Sequence, residues 1–158
     1  MKMKSDADNR LILPNEVLFA EVERCLRDGC SVTLTAKGNS MFPFIVGGRD
    51  SVVLEPSVAF ALKPGDIVLA RLPQGAYVLH RIFSIQSREI VLMGDGNVHG
   101  REHCTPDEIV GVVRTILRKG RPVSSRDRWE NRKVALWRRL LPLRRYLLFF
   151  FRMVYIRK

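Results

Sequence analysis

The chain has 158 residues, 46% hydrophobic and 27% charged, enough for one domain with a real core and an appendage but not for two independent domains. Its net charge of +11 is unevenly placed: from Arg114 to Lys158 there are 15 basic residues against two acids, Asp127 and Glu130, while residues 1–113 are slightly acidic. Three cysteines, Cys25, Cys30 and Cys104, form no CxxC pair and cannot all pair with one another, which argues against a disulfide-stapled secreted scaffold and for a reducing compartment.

At the start of the chain, residues 1–10 are too polar for a secretion signal, and no later run approaches the roughly 18 apolar residues of a spanning helix. The expected location is the cytoplasm or the cytoplasmic face of a membrane. Residues 14–28 are predicted to form a helix, within an N-terminal segment 1–29. Pro14 suits a first turn, Val17, Leu18, Val22 and Leu26 recur at helical spacing, and Gly29 is a stop signal. From Cys30 the period changes to two. Residues 31–36 alternate and are β-branched, and 51–54, 66–71, 76–85, 89–93 and 109–117 read as further strands. Turn-forming groups separate them: Gly47-Gly48-Arg49-Asp50, Lys63-Pro64-Gly65-Asp66, Pro73-Gln74-Gly75 and Gly94-Asp95-Gly96-Asn97. Asp50 and Asp66 each lead into an apolar strand and are read as turn residues at strand entries, not as catalytic acids. The expected fold class is therefore mainly β, a sandwich or barrel-like body over residues 30–118.

Residues 119–128 are polar, contain Gly120 and Pro122, and are expected to be a linker. Residues 129–158 form a basic, amphipathic, helical tail in which Pro142 is expected to kink or split the helix. Its aromatic and aliphatic residues, among them Trp137, Leu140, Tyr146 and 149–151, alternate with arginine pairs. That pattern suits a helix lying in the interface of an anionic membrane, the partner favoured here over nucleic acid, whose binding needs no aromatic runs. The other reading is that this face packs on the β body or on a second subunit.

A serine becomes a nucleophile only beside a base. The stretch Gly38-Asn39-Ser40-Met41-Phe42-Pro43 offers Ser40, and of the three histidines His80 sits in a strand pattern, Tyr77-Val78-Leu79-His80-Arg81-Ile82. His99, His103 and Cys104 lie close together but match no complete four-ligand spacing, so no metal and no cofactor is expected. Arg81 is read as structural or substrate-facing.

Taken in order, Gly-x-Ser-Met-x-Pro, Pro-Gly-Asp-Ile-Val, His-Arg-Ile, Gly-Asp-x-Asn and Ile-Val-Gly resemble the signal peptidase I family and the related self-cleaving SOS-type and phage repressor peptidases. The resemblance runs from about Lys37 to Val113. It implies a signal-peptidase-like or repressor-like β domain in which Ser40 is the nucleophile. His80 stands where bacterial signal peptidases and the repressors carry a lysine base, as in the endoplasmic-reticulum and archaeal variant. Asp95 then matches the glycine-aspartate element that would orient the imidazole, with Glu102 as the alternative. Signal peptidases commonly place a hydroxyl residue two positions before the nucleophile; Gly38 there resembles the repressor-type form instead, so the oxyanion would rely mainly on backbone amides at Ser40 and Asn39. Met41, Phe42 and Pro43 would line the substrate pocket. Where signal peptidases carry a membrane anchor and the repressors a DNA-binding domain, the expected element in this sequence is the 14–28 helix. The function implied is a serine endopeptidase cutting a leader or precursor peptide at a membrane surface. The alternatives are an inactive peptide- or partner-binding member of the fold and a repressor-like, DNA-associated regulator.

Overall fold

The computed structural model describes residues 15–57 and 61–156, so Pro14 and the polar N-terminal stretch lie outside the described residues. Helix α1 (Asn15–Arg27) lays Val22 and Leu26 on the β body, as their spacing predicts. Eight strands follow: β1 (Val32–Thr35), β2 (Asp50–Pro56), β3 (Ile67–Arg71), β4 (Tyr77–Gln86), β5 (Glu89–Met93), β6 (Glu102–Cys104), β7 (Ile109–Arg118) and β8 (Arg121–Ser124). They make one antiparallel sheet in the order β1-β2-β7-β3-β4-β5-β6, with β8 on β7. The body is mainly β, as expected, but the sheet stays open at β1 and β6 instead of closing into a barrel. Register shifts at Val53/Leu54, Leu69/Ala70 and Ile82/Ser84 mark the irregularities that bend such a sheet.

Alternation in the central strand β3 builds two cores. Ile67 and Leu69 join Val22, Leu26, Met41, Ile45 and Leu54 under α1. Val68 and Ala70 face the other way, onto Ile82, Ile90, Leu92 and Cys104. Asp50 and Asp66 do serve the turns before their strands, accepting from the main-chain N–H of Val46 at 2.9 Å and of Lys63 at 3.2 Å.

Two strands escaped the sequence reading. Residues 119–128, expected to be a linker, instead contain β8, and Asp127 caps the next helix by accepting from the N–H groups of Trp129 and Glu130. Pro122 is compatible with this strand because β8 lies at an edge, where a missing N–H costs nothing. Strand β6 is three residues long and mostly polar, too short for periodicity to register.

The tail is helical and split, as Pro142 suggests: α2 (Arg128–Arg139), a 3-10 turn (Leu141–Leu143) and α3 (Arg144–Ile156). Its inner face packs on the body in a third cluster of Phe42, Phe44, Val134, Trp137 and Leu148.

Candidate active site

The loop between β1 and β2 carries Ser40 and is held at both ends. Gly38 sits at φ +73°, a conformation costly for any residue with a Cβ, which accounts for glycine at this position. At the far end Asp50 is fully buried and accepts from Arg49 Nε and Nη2, both at 2.7 Å. Burial alone would raise its pKa, but the bonds from Arg49 and Val46 N–H outweigh it and hold the carboxyl below its ordinary value. From the loop's middle, Met41 points into the core under α1 and Phe42 into the cluster with the tail. Each is only 4% exposed, so the expectation that these two line a substrate pocket is not met. Their side chains anchor the loop, and Pro43, half-buried, stays at its rim.

The main chain of Ser40 rests on the turn after β5. Gly96 N–H donates to the Ser40 carbonyl at 2.7 Å. A Cβ at Gly94 would run into that same carbonyl, and one at Gly96 into the carbonyl of Asn39. Glycine is needed at both positions because the two backbones touch. In the β4–β5 ladder Arg81 lies opposite Met93, so this turn begins alongside His80. The Ser40 main chain thus lies on a turn that starts one residue past the Arg81–Met93 pair, and no Ser40–His80 hydrogen bond occurs among the described residues.

His80 is buried on β4 and its Nδ1 lies 2.8 Å from Glu102 Oε2, at the start of β6. An ionised carboxylate only accepts, so Nδ1 carries the proton of this bond and a neutral ring presents Nε2 as its basic nitrogen. Asp95, the expected partner, is taken by the next residue of the same strand. Arg81 clasps it with Nε–Oδ1 at 2.9 Å and Nη2–Oδ2 at 2.7 Å, both side chains buried, and donates from Nη1 to the Gly65 carbonyl at 2.8 Å. Successive residues of a strand point to opposite faces, so a carboxylate placed for Arg81 is not placed for His80. Arg81 is thus structural.

Among the described residues, the N–H groups of Asn39 and Ser40 donate to no backbone carbonyl. On β6, His103 is exposed and 2.7 Å from Glu89, whereas Cys104 points into the core, where burial pushes its thiol up to about 11. No group of three His, Cys, Asp or Glu side chains converges among the described residues.

The chain matches the family model described as Peptidase S24-like over residues 4–114. It belongs to that family. No curated protein resembles it closely enough to count as a match. In this S24-like chain the matched region takes in α1, the Ser40 loop, His80 and Glu102, and ends within β7. The strand β8 and the helices α2 and α3 lie beyond it. Yet those helices touch the site's supports. Trp137 Nε1 donates to the Asp95 carbonyl at 2.9 Å, and Arg144, 2% exposed, donates to the Asn97 carbonyl at 3.2 Å.

Proposed function

We propose that the chain is a serine endopeptidase whose nucleophile is Ser40, with His80 as general base and Glu102 as the acid that orients it. The observation that carries this reading is the 2.8 Å bond between His80 Nδ1 and Glu102, the carboxylate–imidazole pairing that a serine's general base needs to hold its tautomer. An imidazole is a base near neutral pH as it stands, whereas a lysine in that position has to be desolvated first. In the first half-reaction Ser40 Oγ bonds to the scissile carbonyl carbon while its proton passes to His80 Nε2. The C–N bond then breaks, the imidazolium returns the proton to the leaving amine, and an acyl-enzyme remains for water to hydrolyse by the same route. The N–H groups of Asn39 and Ser40 are the candidates for holding the oxyanion.

The substrate class that suits this surface is an extended leader or precursor peptide. Strand β1 ends the sheet and runs directly into the Ser40 loop, so a peptide added to its outer edge would cross the nucleophile. The test is to incubate wild type, Ser40→Ala, His80→Ala and Glu102→Gln with a pool of precursor peptides and to map new N-termini by mass spectrometry. Wild type yields new termini, the first two variants yield none, and Glu102→Gln slows cleavage by a factor on the order of 100 or more. New termini formed equally by Ser40→Ala would overturn the assignment.

A further inference from the structure

Helix α3 is apolar on two sides, which a helix at the surface of a lone globular body has no use for. Its inner side carries Arg144, Leu148 and Phe151, and these meet the body and α2. The opposite side, one helical half-turn round, presents Tyr146, Phe149, Phe150 and Met153, which are 71, 68, 61 and 49% exposed. A contiguous patch of this kind marks a contact surface. Arg145 and Arg152, both exposed, lie together along one flank of it. No acidic residue occurs anywhere from Asn131 to Lys158.

We infer that the outer face of α3 docks on an anionic lipid surface. The aromatic and methionine side chains enter the headgroup boundary while the arginines meet lipid phosphates. Charge complementarity decides against a second copy of this chain. Two such faces pressed together would set arginine flanks and strongly basic tails against each other with no carboxylate between them. No described helix is long and apolar enough to cross a membrane, so the contact is peripheral. This surface goes beyond the catalytic reading and stands even if Ser40 is inert.

The test uses the full chain in sedimentation with vesicles of phosphatidylcholine alone and of about equal parts phosphatidylcholine and phosphatidylglycerol. Wild type pellets with the anionic vesicles, less so as salt rises, and stays in solution with the neutral ones. Phe149→Ser combined with Met153→Ser lowers binding at least about tenfold with unchanged thermal melting. Arg145→Glu with Arg152→Glu, which leaves the apolar face whole, removes the preference for anionic vesicles. Wild type that ignores anionic vesicles, or equal binding by both double variants, overturns the inference. So does a concentration-dependent dimer, seen by sedimentation velocity, that Phe149→Ser with Met153→Ser abolishes, because the face then belongs to a second copy.

Discussion

Two neighbouring residues of β4 divide the work of the site between the faces of the strand. His80 meets Glu102 on one side and Arg81 meets Asp95 on the other. The sequence made both acids candidates for the histidine, and the glycine-aspartate pattern favoured Asp95. What it could not supply is the strand β6, which lifts Glu102 onto the same face as His80. The division makes opposite predictions for the two carboxylates. Asp95→Asn strands the buried Arg81 guanidinium without its counter-charge and should destabilise the fold by about 3–5 kcal/mol, read by denaturant melts. Glu102→Gln should leave the melt within about 1 kcal/mol of wild type while slowing any reaction at Ser40. If Asp95→Asn were as stable as wild type and only slower, the assignments would be reversed.

At the scale of elements, the site depends on contacts between backbones, and these are hard to read from side-chain patterns. The helix α1 and six strands follow from periodicity and turn residues, because burial on one face imposes period 3.6 or 2. Met41 and Phe42 misled because an apolar run beside a nucleophile reads equally well as pocket or anchor; only the packing partners decide. The glycines of the turn after β5 allow the Ser40 backbone to lie against it. Gly96→Ala should therefore cost about 1–3 kcal/mol in melting and slow the chemistry with it. The join between α2 and β7 is also sensitive to acid. Burial alone would raise the pKa of Glu130, but hydrogen bonds from Arg118 and Lys133 outweigh it and keep the carboxyl below its ordinary value. A group with a depressed folded pKa contributes stability above its unfolded value, near 4.3, and loses it as pH falls through the folded value. Wild type should thus lose stability in that acid window. Glu130→Gln should start about 1–2 kcal/mol less stable at neutral pH and show a flatter acid limb.

For the whole molecule, the family domain and its C-terminal helices form one unit. The uneven charge and the aromatic pattern already separated a near-neutral body from a cationic tail. They could not say that one side of the tail closes the core over Phe42 and Phe44, since an amphipathic stripe does not name its partner. Removing residues 129–158 should uncover that cluster, lower the melting temperature and raise binding of a hydrophobic dye. A truncated chain with unchanged melting would mean that the docked helices contribute nothing to the fold. In the proposed mechanism Ser40 is a nucleophile activated by His80. Treatment with a fluorophosphonate, followed by peptide mass spectrometry, tests it most directly. Wild type should carry a single adduct on Ser40, Ser40→Ala none and His80→Ala almost none. An unlabelled wild type, or a His80→Ala variant labelled as fast as wild type, would contradict it.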